Sequence, residues 1–277
     1  MQRCIATVSL SGTLPEKLQA IAGAGFDAVE IFEDDLLGYQ AGPGAVRRIC
    51  ADLGIDIALL QPFRDFEGGP RAAMPGRLDR AERNFDLMQE LGTDLMLLCS
   101  NTAADSQGDE HILLDDLRLL TERAAARRLR VSYEGLAWGR HVNTWQQVWK
   151  LVRQVNHPAL GMMLDSFHTL ALRGDPSAIA QIPADRIFFV QMADAPVVTL
   201  DLLEWSRHLR CFPGQGEFDL AGFLAPILRS GYSGPLSLEI FNDGSGTATT
   251  REQAADGLRS LRNLQQQTRQ LLATACA

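Results

Sequence analysis

Lysine is almost missing from this chain: of 26 basic residues only Lys17 and Lys150 are lysines. Lys17 follows Leu14-Pro15-Glu16 at the start of a helical stretch, and Lys150 falls inside another, Thr144–Val155. Neither sits at a strand end, which argues against Schiff-base chemistry. Cysteine is scarce and scattered: Cys4, Cys50, Cys99, Cys211 and Cys276 are odd in number and form no CxxC pair. That excludes a disulfide framework and a zinc knuckle and leaves packing as their role. Long apolar runs are missing too. The longest stretch without a charged residue, Cys4 to Pro15, has twelve residues, too few to span a bilayer as a helix. Met1-Gln2-Arg3-Cys4-Ile5 runs straight into a strand-like segment without a separate apolar signal region. The expectation is a cytoplasmic protein with no membrane partner. Positive charge is in deficit, with 34 acidic residues against 26 basic and a net charge of −8. Nucleic acid, which requires a basic face, is therefore not an expected partner. GxxxxGK[ST], HExxH and GxSxG are absent as well, so nucleotide-binding and serine-hydrolase readings lose their support.

What is present is a chain of 277 residues, 46% apolar, in which short β-branched runs alternate with longer stretches of helical period. Such alternation marks βα units around a parallel sheet. Strands are predicted at Ile5–Ser9, Ala28–Ile31, Ile55–Gln61, Leu95–Ser100, Val131–Glu134, Gly161–Asp165, Ile187–Gln191 and Leu236–Ile240. Helices follow at Pro15–Ala24, Gly44–Leu53, Pro75–Leu91, Ile112–Arg128, Thr144–Val155, Pro176–Ile182, Leu220–Ser230 and Thr250–Leu272. Eight such units predict an α/β fold, a closed (β/α)8 TIM barrel in a single domain. One connection is irregular: the 28 residues from Met192 to Asp219 would overhang the C-terminal face as a lid or wall. Residues Gly244–Thr250 read as a mobile loop or short linker before the last helix.

The C-terminal ends of barrel strands are where catalysis sits and where a buried acid is otherwise costly. Glu134, Asp165, Gln191 and Glu239 close strands five to eight, which are neighbours around a barrel. Three converging carboxylates would repel one another, whereas a divalent cation would neutralise them and use the Gln carbonyl as a further ligand. The all-oxygen set favours Mg²⁺, with Mn²⁺ or Co²⁺ as alternatives, over zinc. His168, three residues beyond Asp165, reads as a general base. Arg64, after strand three, reads either as a carboxylate clamp or as a structural partner of Asp65 or Glu67. Glu30 and Glu33 flank Ile31-Phe32 after strand two, and a solvated loop or a bound arginine accounts for them as well as a site does.

Glu, Asp with a trailing His, Gln and Glu at these strand ends resemble the xylose-isomerase-like barrel superfamily. The stretches Gln61–Glu67, Leu136–Asn143, Leu164–Thr169 and Arg207–Gly216 more narrowly resemble bacterial 3-dehydroshikimate dehydratases. The resemblance implies a metal-dependent hydro-lyase that converts the small molecule 3-dehydroshikimate to protocatechuate and water in quinate and shikimate degradation. It implies that His168 takes the C4 proton, and that Arg64 and Arg210 hold the substrate carboxylate or help the leaving hydroxyl. Many members of that family carry a second domain resembling 4-hydroxyphenylpyruvate dioxygenase, which leaves open a continuation beyond residue 277. A homo-oligomer is also left open. The alternative function is a ketose epimerase or isomerase of the same superfamily, with Glu134 and Glu239 as paired acids. The Arg64 and Arg210 pair, which suits an anionic substrate, weighs against it.

Overall fold

The computed structural model describes residues 1–243 and 248–274, so Cys276 and most of the Gly244–Thr250 stretch lie outside the described residues. Eight parallel strands close into one barrel in chain order: β1 (Arg3–Ala6), β2 (Ala28–Phe32), β3 (Asp56–Phe63), β4 (Leu95–Cys99), β5 (Arg130–Glu134), β6 (Leu160–Asp165), β7 (Ile187–Met192) and β8 (Leu236–Leu238). The predicted barrel is therefore the observed one, with strand ends moved by a few residues. β1 is shorter than expected because the chain tightens into a 3₁₀ turn at Thr7–Ser9, and Glu239 lies just past the end of β8.

Helices occupy seven of the eight predicted places: Leu14–Ala24, Pro43–Leu53, Met74–Leu91, Glu110–Ala126, Trp145–Val155, Leu220–Arg229 and Thr250–Thr274. Their ends carry local signals. Thr13 and Thr144 form capping boxes with Glu16 and Gln147, which satisfy amide donors that the first helical turn leaves unpaired. Gly25 ends the first helix at φ +94°, a conformation that costs glycine nothing. The eighth expectation fails: Pro176–Ile182 is a short 3₁₀ turn at Ser177–Gln181. The helix after β6 is instead Ser166–Ala171, begun by Asp165, whose Oδ1 accepts from the Phe167 amide at 2.6 Å. Two more short helices, Glu33–Leu37 and Leu202–His208, lie in the loops after β2 and β7.

Side chains alternate between the two faces of each strand, so one parity points into the barrel and the other against the helices. The interior floor is apolar and built from Cys4, Ala28, Leu59, Leu97, Met163 and Phe189. Gly161 leaves room for this packing, because a Cβ there would stand 2.4 Å from the Phe188 ring. The same parity carried toward the C-terminal ends reaches Glu30, Gln61, Glu134, Asp165, Gln191 and Glu239, all buried. Strand register sets these groups side by side, Cys99 opposite Glu134 and Asp165 opposite Gln191.

Lys17 is buried on the outer side, where its Nζ pairs with Asp35 at 2.7 Å, far from this layer in role. No helix of the described residues is long and apolar enough to cross a membrane.

Candidate active site

Strands five to eight bring the four predicted oxygen-bearing residues together at the C-terminal mouth. Glu134 and Asp165 end their strands, Gln191 lies one residue before the end of β7, and Glu239 follows β8. Glu134, Asp165 and His168 bring ligand atoms within 4.8 Å of one another. Burial is the first cause that pushes the Glu134 carboxyl well above the usual range, and repulsion from Asp165 and Glu239 adds to it. Glu239 is raised for the same leading reason, although Arg210 pulls it down. Three oxygens in the layer, Glu30 Oε1, Glu134 Oε1 and Gln191 Oε1, are buried and accept no hydrogen bond. Carboxylates crowded in a dry place, with unpartnered oxygens beside them, are the donor set that a divalent cation takes. The residues present therefore fit such an ion.

Arg210 lines the cleft at the mouth with its guanidinium engaged by the acids beneath. It is 1% exposed, and its Nη1 donates to Asp165 Oδ2 at 2.8 Å and to Glu239 Oε2 at 2.9 Å. Its Nε and Nη2 donate to the Ser206 hydroxyl at 3.1 and 2.8 Å, and the guanidinium stacks 4.5 Å over Phe167. Burial disfavours its charge, but Asp165, Glu239 and Glu134 outweigh burial and hold it protonated. Arg210 is thus the internal cation of the cluster. Arg64 is the freer arginine. Asp65 accepts from the Thr102 amide and hydroxyl, and Glu67 accepts from the Asn101 amide and the Tyr133 hydroxyl. The predicted structural partners of Arg64 are therefore engaged elsewhere, while its buried Nε is unpaired.

His168 is buried beside Trp138, with ring centroids 5.0 Å apart. Its Nδ1 lies 3.1 Å from the Ala137 amide and its Nε2 lies 3.4 Å from Arg210 Nη2, two groups that can only donate, so the single proton of the neutral ring leaves one of the two contacts unmade. Nε2 stands 3.6 Å from Asp165 Oδ2 and 3.8 Å from Glu134 Oε1. Burial first, and then Arg210 and Arg207, depress the ring to about 3. It is neutral throughout the physiological range.

A cleft above the cluster is lined by Gln61, Arg64, Trp138, His168, Arg207 and Phe241. Arg207 escaped the sequence reading. Its guanidinium lies 4.9 Å over the Phe241 ring, its pKa is lowered by burial and by repulsion from Arg64, and it lines the cleft together with Arg64 and Arg210. Only the position of the Leu202–His208 helix, set by the long loop, reveals it. That loop is a wall. Asp194 pairs with Cys211 through two backbone hydrogen bonds, its carboxylate accepts from Gly214 and Phe218 amides, and Trp205 and Phe218 pack on Phe167. His208 faces Asp243 outside the cluster, and His141 is tied to the Ser106 carbonyl.

Glu67 holds the neighbouring loop in place with the two hydrogen bonds given above. Burial raises its carboxyl to about 7 from 4.5. Between those two values the folded chain binds more protons than the unfolded chain, so stability falls as pH rises through that window and levels off above about 7. A Glu67→Gln variant keeps an acceptor and cannot ionise. Its melting temperature relative to the unsubstituted chain should rise between pH 5 and pH 7.5, and a pH-independent difference would show that Glu67 does not titrate there.

Comparison with known proteins places this geometry in a group. The profile of the xylose isomerase-like TIM barrel family matches residues 18–264. The 3-dehydroshikimate dehydratase of Pseudomonas putida is 72% identical over 269 residues, covering 97% of this chain and 42% of that protein. That of Pseudomonas aeruginosa is 67% identical over 272 residues, covering 98% of this chain and 43% of that protein. The chain thus spans about two-fifths of these relatives. A solved xylose isomerase-like TIM barrel/4-hydroxyphenylpyruvate dioxygenase fusion protein superposes with a TM-score of 0.97 at 71% identity, covering 99% of this chain and 44% of that one.

Proposed function

The chain belongs to the xylose isomerase-like TIM barrel family, and from that premise we propose that it is a dehydratase domain acting on 3-dehydroshikimate to form protocatechuate and water. The observation that carries this reading is the 72% identity to the P. putida dehydratase across 97% of the chain. The site supports it, since Arg64 and Arg207, which line the cleft beside the ion-paired Arg210, suit an anionic substrate. We assign Glu134, Asp165, Gln191 and Glu239 as the residues that hold a divalent cation, with Mg²⁺ favoured by the all-oxygen donors. Such a cation supplies Lewis-acid stabilisation of the negative charge that develops on the substrate C3 oxygen.

The protein's own groups divide the remaining work. Arg64, with a free Nε at the cleft, holds the substrate carboxylate, and Arg207 reinforces the positive potential there. Arg210 neutralises Asp165 and Glu239 and keeps them in place. His168 is the proton carrier. With Nε2 as the acceptor that Arg210 Nη2, 3.4 Å away, calls for, the ring takes the C4 proton there and passes it to the departing C5 hydroxyl. Loss of water and tautomerisation complete the aromatic ring. The dispersed free cysteines and the absence of a spanning helix among the described residues support placing the domain in the cytoplasm.

The test is reconstitution. Chain stripped with EDTA should not turn over 3-dehydroshikimate, and Mg²⁺ or Mn²⁺ should restore protocatechuate formation, followed by its ultraviolet absorbance. Absence of product with every divalent ion, together with epimerisation of a ketose, would replace this reading by the epimerase.

A further inference from the structure

Glu30 is a buried carboxylate that the reaction does not use. It is 0% exposed inside the barrel, and no arginine or lysine pairs with it among the described residues. Its surroundings are hostile to charge: burial first, and then Glu239 and Asp165, raise its pKa to about 8, while the Ser237 hydroxyl and the Gln191 amide oppose the shift. Its contacts are specific. A single oxygen, Oε2, accepts from Gln191 Nε2 at 2.7 Å and from Gln61 Nε2 at 2.9 Å. An amide caught by its nitrogen must point its oxygen elsewhere, and Gln191 Oε1, on the strand paired with Asp165, is a buried oxygen left without a donor, as is Glu30 Oε1.

We propose that Glu30 is a positioning residue for the metal site: it grips Gln191 by its N–H, with Gln61 as a second donor steadying the carboxylate, and so presents Gln191 Oε1 to the cation. The inference rests on the reading of Glu134, Asp165, Gln191 and Glu239 as the metal-holding set. It does not depend on the charge of Glu30, because the carbonyl oxygen of a protonated carboxyl accepts the same two N–H groups. Outer partners that orient a ligand typically change metal affinity by about 10- to 100-fold when removed.

The experiment measures Mn²⁺ affinity of the metal-stripped chain by the paramagnetic resonance signal of free Mn²⁺, with thermal melts alongside. Glu30→Met, of similar length and without an acceptor, should bind Mn²⁺ about 10- to 100-fold more weakly. Glu30→Gln, which keeps a carbonyl acceptor, should stay within about threefold of the unsubstituted chain, a rescue that charge loss alone would not give. In a Gln191→Met background, Glu30→Met should produce almost no further loss, since the group it positions is gone. Equal losses in Glu30→Met and Glu30→Gln, or an undiminished loss in the Gln191→Met background, would overturn the proposal. Unsubstituted chain that takes up no Mn²⁺, or Gln191→Met chain that binds it normally, would overturn the metal-site reading itself and this inference with it.

Discussion

Arg210→Met chain in EDTA should melt roughly 10 °C below the unsubstituted chain. Removing one partner of a buried ion pair typically costs about 3–5 kcal/mol, because the remaining charge is left without compensation, and each kcal/mol shifts the midpoint of a protein this size by about 2–4 °C. Arg210 faces two such partners, Asp165 and Glu239, at 2.8 and 2.9 Å, in a layer where Glu134 adds a third acid. The methionine fills much of the vacated volume over Phe167, so the loss reports charge more than packing. Mn²⁺ should recover a large part of the deficit, since a divalent ion does for the carboxylates what the guanidinium does. Differential scanning calorimetry with and without the ion checks both halves. A variant that melts like the unsubstituted chain in EDTA would mean that the acids are protonated or solvated and that Arg210 is not their counter-ion.

The second large effect is expected at His168. A His168→Gln chain retains a polar side chain of comparable size but cannot transfer a proton, and general acid–base groups typically contribute about 10²- to 10⁴-fold. Turnover of 3-dehydroshikimate should fall within that range, while KM and Mn²⁺ affinity stay within a few-fold. The split matters because Nε2 lies 3.6 and 3.8 Å from acids of the cluster and a ligand role would also fit that proximity. If Mn²⁺ affinity falls in step with turnover, His168 is a ligand. If turnover is near normal, it is not the proton carrier.

The contrast between Glu30 and Glu134 shows what is legible in a linear chain and what is not. Glu134 announces itself: it ends an apolar run, and a strand end of that kind on a barrel is a site position whichever way the neighbours pack. Glu30 is followed by Ile31-Phe32 and the acidic Glu33-Asp34-Asp35, so it reads like the start of a solvated loop. In the barrel it is neither solvated nor bound to arginine; it is at full burial with two glutamines as donors. Its parity with Ala28, which belongs to the interior floor, was the available signal, and parity becomes decisive only when the strand is known to run through Phe32. Pro176–Ile182 illustrates the opposite limit. A helical period over seven residues carries too few hydrogen bonds to specify an α-helix, and although Asp175 Oδ1 accepts from the Ser177 amide at 2.8 Å, the segment settled as a 3₁₀ turn.

By itself the sequence determined the alternation of strands and helices, the closure that eight units imply, and the four oxygen-bearing residues at the ends of neighbouring strands. These follow from local periodicity and from the fixed place of strand ends in a barrel. Tertiary structure alone decided the charge balance and the surroundings of the imidazole. Arg210 lies 45 residues from Asp165 and 29 from Glu239 in the chain, and only the folded wall after β7 brings its guanidinium between them. The amide of Ala137, 31 residues from His168, and the guanidinium of Arg210, 42 residues from it, face the two ring nitrogens. Pairings of that kind depend on distances of a few ångströms between segments far apart in sequence, and periodicity carries no information about them.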